Sequence, residues 1–378
     1  MKIGIISRSN LDDRVYWSGT PYNIYSSLKS QKKIKVLRID CLNNRLRKLS
    51  ALKREYLKYF NGTKYDDAYN EFVAKDFSSQ IQRKLNNKNI DFLITFDASL
   101  IAYLKTSIPI VLWTDLLYSD YYSYYFDDQK ISKETKKFIK KIEKNAIKKC
   151  FKVILASKWA LDKAKKKYKN SSRKFTLLHL GPGFKKSIDS NKIKKIIKKR
   201  SKTNLRLITL GVRRKRKGLH KVIKLNKILN KRGVKSKLTI IGIKKIEKID
   251  DNIKLIGFVD KNNQNGESKI SGNLIQNHYH ILFSRREAYG IALVEANSRG
   301  VPNITFKTGG ISQIVKNNKN GFIFKQSESL EKIADKIIKN FKNNSNYIKL
   351  ANSSYKTYNK HYSFKVIIPN LIKILNSN

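Results

Sequence analysis

Short apolar runs of buried-strand length alternate with helical patterns along most of this chain. The strand-like runs are Lys2 to Ser7, Lys35 to Ile39, Phe92 to Phe96, Pro109 to Trp113 and Val153 to Ala156 in the first half, then Leu205 to Leu210, Lys237 to Ile241, Ile253 to Phe258, Ile281 to Phe283 and Asn303 to Phe306. Continuous apolar strands separated by helices are typical of parallel sheets covered on both faces. We therefore predict an α/β protein with two Rossmann-like domains that face each other across a cleft.

A break between the two halves sets the domain boundaries. Gly181-Pro182-Gly183 indicates a turn rather than a phosphate loop, and the basic stretch 185–202 that follows is typical of a linker with one short helix. We predict domains at 1–184 and 185–354. The mostly polar segment 262–272 is predicted to be a loose loop. Residues 355–378 are predicted to form a final helix, broken by Pro369.

Two glutamates lie in the segment Phe283 to Gly300, where a strand runs into a polar loop and a helix begins near Gly290. Glu287 belongs to the loop and Glu295 to the second helical turn, so the carboxylates would flank a diphosphate bound at the helix start. A simpler alternative makes Glu295 and Arg299, four residues apart, a surface ion pair. Glu287 would then be an ordinary loop acid beside arginines.

A second polar segment, Gly211-Val-Arg-Arg-Lys-Arg-Lys-Gly218, lies between a strand and a helix, where α/β proteins bind ligands. Lys217 before Gly218 is unfavourable at a helix start because the helix dipole repels cations there, and this local misfit favours a function. The alternative is a solvated basic run. The sequence contains no Asp-x-Asp, and His278 and His280 indicate strand packing rather than a metal site.

The text Glu287-Ala-Tyr-Gly-Ile-Ala-Leu-Val-Glu295-Ala, followed by Gly300-Val-Pro302 and Gly309-Gly310, resembles the retaining glycosyltransferases of family 4. Those enzymes have the two-domain GT-B fold. The resemblance implies a hexosyltransferase with an acceptor-side first domain and a second domain that binds the nucleotide sugar. It also implies that the C-terminal helix returns to the first domain and that the anomeric configuration is retained.

The resemblance also implies roles for individual residues. Glu295 would hold the ribose hydroxyls of the donor, and Glu287 the sugar or its phosphate. Lys217, followed by Gly218, would neutralise the leaving diphosphate, together with amides near Gly290 and Ile291.

The resemblance implies roles for three further positions, each of which has an alternative. The family's phosphate-binding arginine matches Arg213, with Arg214 the next choice. Gly19 would approach the diphosphate from the first domain, although Thr20-Pro21 is also a plain helix start. Many family members have a sugar-contacting histidine near Trp113-Thr-Asp115, where this chain has Asp115 as the plausible replacement, or as an N-cap of the next helix.

The predicted ligands are a UDP- or GDP-hexose donor and a glycan or lipid-linked acceptor, with no cofactor and no metal. An epimerase or hydrolase of the same fold is the enzymatic alternative. A non-catalytic basic protein that binds membrane or nucleic acid is the other alternative.

The formal net charge of +54 is extreme. AT-rich codon bias explains part of the lysine surplus, and we favour contact with an anionic membrane surface over drift alone. Nucleic acid is unlikely because no nucleic-acid motif accompanies the charge. Helix 134–149 is basic and amphipathic, so it packs its apolar stripe into the domain or lies on a membrane. Two cysteines and the lack of a signal sequence predict a cytoplasmic protein, and the favoured membrane contact would make it peripheral on the inner face of the membrane.

Overall fold

The computed structural model describes residues 1–66, 69–126, 131–246 and 250–377. They form two compact units. The first comprises Met1–Trp17, Pro21–His179 and Ile368–Asn378, and the second comprises Ser18–Thr20 and Leu180–Ile367.

The first unit is built on a six-stranded parallel sheet in the order β2-β1-β3-β4-β5-β6. Its strands are β1 (Lys2–Ile6), β2 (Lys35–Ile39), β3 (Phe92–Thr95), β4 (Ile110–Thr114), β5 (Cys150–Leu155) and β6 (Phe175–Leu177). All five residues of the central β4 are buried, as expected for a strand covered on both faces. Trp113 is fully buried there and donates its indole N–H to Leu178 O at 3.2 Å.

Helices connect these strands. They are α1 (Thr20–Lys29), α2 (Arg47–Asn61), α3 (Glu71–Leu85), α4 (Tyr118–Tyr125), α5 (Lys133–Lys149) and α6 (Lys158–Lys167). The α5 helix begins where Ser132 Oγ accepts from Thr135 N, which is a standard N-cap. Its buried Glu143 accepts hydrogen bonds from Ser119 N, Ser119 Oγ and Tyr168 OH. Burial raises the pKa of Glu143, and these donors satisfy the carboxyl group.

The second unit repeats the architecture with a six-stranded parallel sheet in the order β12-β11-β10-β7-β8-β9. Its strands are β7 (Leu205–Leu210), β8 (Ser236–Ile241), β9 (Ile253–Gly257), β10 (Tyr279–Leu282), β11 (Asn303–Phe306) and β12 (Gly321–Phe324). The crossovers place β7 beside β10 in the middle of the sheet, so the loops that leave these strands meet at one edge.

The remaining helices cover this second sheet or follow it. They are α7 (Ser190–Lys199), α8 (Leu219–Lys231), α9 (Gly266–Gln276), α10 (Ile291–Asn297), α11 (Ile311–Ile314), α12 (Leu330–Lys342), α13 (Asn344–His361) and α14 (Phe364–Leu375). Arg200, at the end of α7, is buried and donates to the carbonyls of Ile275, Gly300 and Arg299 and to Tyr347 OH. One guanidinium thus ties together the ends of α7, α9 and α10 and the α13 helix.

Two local expectations were wrong. The polar segment 262–272, expected to be a loop, contains most of α9, because Ile270 and Leu274 are four residues apart and bury the same face. The C-terminal helix is interrupted at Tyr362 and Ser363 rather than at Pro369, which lies inside α14. The α14 helix tolerates the missing N–H of Pro369 because Ile367, Ile368 and Leu371 anchor it in the core.

In the described ranges no helix has both the length and the apolar character needed to cross a bilayer.

Candidate active site

Two loops meet at the carboxyl edge of the second sheet. The 211–218 loop leaves β7 and the 283–290 loop leaves β10, and these two strands are parallel neighbours. A main-chain hydrogen bond from Arg285 N to Arg216 O, 2.9 Å long, joins the loops directly. The topology therefore brings together two polar segments that are about seventy residues apart in sequence.

Gly218 makes this close approach sterically feasible. Its φ is +67°, and a Cβ added there would lie 2.1 Å from Phe283 O. No side chain fits at that distance, so the Lys-Gly pair at the start of α8 is a requirement of the packing between the loops. The glycine lets the preceding residue, Lys217, turn toward the 283–290 loop.

The ammonium of Lys217 donates to Glu287 Oε2 at 2.6 Å, and Arg216 and Ser284 Oγ each donate to the same oxygen at 3.1 Å. Burial alone would raise the pKa of Glu287, but the cations Lys217 and Arg216 hold it below its ordinary value. Burial lowers the pKa of Lys217, and Glu287 opposes that shift. Glu287 is thus a paired, buried anion rather than the ordinary loop acid of the simpler alternative.

Glu295 lies on α10 and is also buried. Its Oε1 accepts a hydrogen bond from Lys261 Nζ at 2.6 Å, and the same ammonium donates to Gly183 O at 3.1 Å. A Cβ on Gly183 would lie within 2.5 Å of both Lys261 Nζ and Glu295 Oε1, so this position also requires glycine. Glu295 contributes electrostatically to the pKa of Lys217, so the two ion pairs lie within each other's field.

The alternative of a surface ion pair between Glu295 and Arg299 is not what the structure contains. Arg299 is buried and donates to Ser271 Oγ at 2.6 Å and to Lys186 O at 3.0 Å. Its guanidinium also lies over the Phe184 ring. Arg299 therefore links the end of α10 to Ser271 of α9 and to the backbone of Lys186.

The α10 helix begins at Ile291 with Gly290 as its N-cap, at a φ of +107°. Gly290 has no side chain with which to cap the helix, so no side-chain hydrogen bond caps the amides of its first turn. Arg213 and Arg214 are exposed on the loop between β7 and α8. Arg216, which the sequence patterns did not single out, is the arginine that contacts Glu287.

The remaining predicted site residues, Gly19 and Asp115, lie outside these loops and α10. Gly19 is buried at the end of a short 3₁₀ helix (Tyr16–Gly19), with a φ of +80°, and precedes α1. Asp115 follows β4 directly and is half-buried. It does not cap the next helix, because Leu117 is the N-cap of α4.

Lys261 and Arg216 are the site residues that sequence reasoning missed. Lys261 directly precedes the segment 262–272 that was predicted to be a loop, and nothing in its neighbourhood in the sequence indicates a glutamate partner 34 residues away. The one related feature in the sequence was Gly183, a glycine near the predicted domain boundary. The sequence does not show why glycine is needed there, because Lys261 Nζ and Glu295 Oε1 come close to it only in the folded chain. Arg216 was one of five consecutive basic residues, 213–217, and nothing in the sequence distinguished it from its neighbours.

Within the described residues, no group of three or more histidine, cysteine, aspartate or glutamate side chains is placed to hold a metal ion. His278 and His280 are buried and hydrogen-bonded to Ser201 O and to Asn303, respectively. They serve packing, as predicted, although only His280 lies on β10 and His278 directly precedes it.

Comparison with known proteins gives the enzyme class of the domain that contains these loops. Residues 189–358 match the family model for glycosyl transferases group 1. The matched segment is thus a glycosyltransferase domain. The prediction of an enzyme of this class is thereby confirmed. Retention of the anomeric configuration, which the family model does not address, stays a prediction. Among curated proteins the sequence has no match.

Solved structures with the same two-domain fold cover the whole chain. WaaG, a glycosyltransferase involved in lipopolysaccharide biosynthesis, is 13% identical, with a TM-score of 0.66 and 100% of both chains covered. Sucrose-phosphate synthase from Thermosynechococcus elongatus is 11% identical, with a TM-score of 0.68, covering 99% of this chain and 98% of that one. The prediction of two Rossmann-like domains of the GT-B kind is confirmed.

S. aureus TarM is similar over a smaller part of its length. It is 15% identical with a TM-score of 0.61, and the match covers 81% of this chain and 59% of TarM. At this level of identity the similarity establishes the fold alone.

The steric role of Gly218 can be measured against Gly233, which has a similar φ of +76° but nothing within 4 Å of an added Cβ. Gly233→Ala should lower the free energy of unfolding by about 1–2 kcal/mol, the cost of a left-handed alanine. Gly218→Ala should cost at least about 1 kcal/mol more, because it also overpacks the contact with Phe283. Urea unfolding of both variants measures the difference, and equal losses would contradict the close approach of the two loops.

The Glu287 ion pair predicts a pH dependence of stability. Because the folded-state pKa of Glu287 lies below its ordinary value, the pair stabilises the protein at neutral pH and loses this contribution as the pH falls through that pKa. Glu287→Gln should lower the free energy of unfolding at pH 7 by roughly 3 kcal/mol, since it leaves the ammonium of Lys217, which is only 15% exposed, without its carboxylate partner. The gap between variant and wild type should narrow in acid, and a gap independent of pH in urea titrations would argue against the pairing.

Proposed function

We propose that this glycosyltransferase moves a hexose from a nucleotide-diphosphate sugar to a hydroxyl of a glycan or lipid-linked acceptor, with retention of anomeric configuration. The observation that supports it best is the pair of buried, lysine-neutralised glutamates at the carboxyl edge of the second sheet. Parallel α/β sheets bind nucleotides at this edge. Anabaena HepE, 14% identical with a TM-score of 0.62, has been solved in complex with UDP.

In this proposal residues 185–354 form the donor domain. Glu295 binds the ribose hydroxyls, and it keeps its bond to Lys261 while doing so because a carboxylate has about four acceptor positions. Glu287 binds the hexose or its phosphate. The amides near Gly290 and Ile291 assist at the helix start.

The leaving diphosphate is neutralised by fixed cations. Lys217 and Arg213 are the proposed residues, and Arg216 joins them because it already lies against Glu287. Cations aimed at a developing charge in a water-poor site stabilise the transition state without having to reorganise. We propose that no metal is needed, since the sequence lacks the Asp-x-Asp that commonly holds one.

The proposed acceptor side is residues 1–184. Gly19 would approach the diphosphate, and Asp115 would take the place of the sugar-contacting histidine. We further propose a cytoplasmic enzyme of cell-surface glycan or lipopolysaccharide-type biosynthesis that works against an anionic membrane. The charge of +54 supports that contact.

Donor binding by Glu295 can be tested with a thermal-shift panel of UDP- and GDP-sugars, because a ligand of the native state must raise its stability. We expect one class of donor to stabilise the wild type. Glu295→Gln should weaken that binding about tenfold to a hundredfold, the loss of a hydrogen bond to a charged group. Glu331→Gln, on the exposed side of α12, is the matched control and should bind normally. Unchanged donor affinity in Glu295→Gln would remove the ribose role.

Turnover tests the role of Lys217. Lys217→Ala should lower turnover roughly a hundredfold, the usual effect of losing one charge-stabilising donor, and Lys215→Ala, exposed in the same loop, should leave it near normal. The same assay run in EDTA should give the wild-type rate. Normal turnover in Lys217→Ala would exclude it from the site, and loss of activity in EDTA would reject the metal-free mechanism.

A further inference from the structure

The α2 helix of the first unit carries an apolar stripe on its outer side. Leucine and tyrosine or phenylalanine side chains recur there at intervals of three and four residues, which places them on one side of a helix. They are Leu49, Leu52, Tyr56, Tyr59 and Phe60, with exposed fractions of 68%, 71%, 58%, 84% and 68%. Large apolar side chains clustered in this way mark an interaction surface rather than scattered exposure.

The helix is held so that the stripe points outward. Ser50, on the opposite side, is buried, and Lys53 forms an ion pair with Glu134 of α5 at 2.6 Å. The helix ends at Gly62, whose φ of +57° gives a left-handed C-cap that bonds to Leu57 O. The exposed stripe is thus a feature of a fixed helix with defined ends.

Charge surrounds the stripe. The sequence of α2 contains five basic residues and one acidic residue, and Lys48 and Lys58 are exposed beside the apolar side chains. Lysines flanking leucines and aromatic residues are the composition of helices that lie in the plane of a membrane interface. Tyrosine in particular prefers the headgroup level, where one end of the ring is wet and the other apolar.

The α5 helix, for which membrane contact was an alternative, lacks such a surface. Its apolar residues Ile139, Ile142, Ala146 and Ile147 are buried in the first unit. The apolar stripe of α5 therefore packs into the first unit, and only the side of the helix that carries its lysines remains exposed. The α2 helix differs because its apolar residues are themselves exposed.

We propose that α2 docks the protein on an anionic lipid bilayer, with the stripe entering the boundary between headgroups and acyl chains and the lysines contacting anionic headgroups. The inference rests on the proposed membrane contact and names the surface that makes it. A second copy of the chain fits this face less well, because it would bring two strongly basic helices together. Single-stranded nucleic acid would stack on the aromatic rings but would leave Leu49 and Leu52 without an apolar partner.

Co-sedimentation of the full chain with vesicles tests the proposal. The wild type should bind phosphatidylcholine vesicles that contain phosphatidylglycerol more tightly than phosphatidylcholine alone. Leu52→Ser, Tyr56→Ser and Phe60→Ser combined should weaken that binding at least about tenfold, through the apolar area withdrawn from the bilayer. The same variant should keep the wild-type melting temperature, because the three side chains are exposed.

A matched pair of variants separates local from overall charge. Lys48→Ala with Lys58→Ala should weaken binding to the anionic vesicles, whereas Lys194→Ala with Lys198→Ala, two exposed lysines of α7, should weaken it less. Equal losses would mean that net charge acts without a docking site and would overturn the assignment to α2.

The other outcomes are distinct. If the wild type binds and the serine variant binds equally well, the stripe is not the docking surface. If the wild type ignores anionic vesicles, the proposed membrane contact fails as well, while donor-induced thermal shifts test the transferase independently. A change in oligomeric state on serine substitution, or loss of single-stranded DNA binding without loss of vesicle binding, would assign the face to another partner.

Discussion

A buried carboxylate is costly unless a cation and hydrogen bonds neutralise it, and the second unit buries two glutamates that are eight residues apart in the chain. Glu287 and Glu295 each satisfy this requirement with a lysine from a different loop, Lys217 and Lys261. Each ion pair therefore fixes the position of a loop as well as a charge. The carboxyl edge of the second sheet is held in place by the same residues that give it its chemistry.

These ion pairs depend in turn on two glycines. Gly218 allows the β7 loop to approach Phe283 O, and Gly183 leaves room for the contact between Lys261 and Glu295. In each case a residue that weakens local structure permits a polar contact between distant segments. Natural sequences break local rules mainly where a site demands it, and the misfit of Lys217-Gly218 at the start of a helix has that explanation.

The alternation of apolar strands with helices was enough to predict both sheets, because burial on two faces leaves a strong signal in sequence. The motif around Glu287 and Glu295 was visible because its members are close together in the chain. Lys261 was not, since its partner is remote and α9 beside it buries only a narrow apolar face. The exposed stripe of α2 could not be recognised for a different reason: its apolar residues have the same spacing as those of a helix that packs on a core, and the sequence does not show which way that side faces.

The ion pairs also resolve a conflict in the proposed donor site. Two unpaired carboxylates beside a diphosphate would repel it. The hydroxyl groups of the ribose and the hexose, which lie on either side of the phosphates, nevertheless need hydrogen-bond acceptors. With Lys217, Arg216 and Lys261 set against Glu287 and Glu295, the cluster contains three cations and two anions. Its acids can accept hydroxyl hydrogen bonds while the local field still attracts phosphate. A surplus of lysine that arose from composition would add to this field without specificity, whereas the two ion pairs hold charge at fixed positions, as the proposed stabilisation of a leaving group would need.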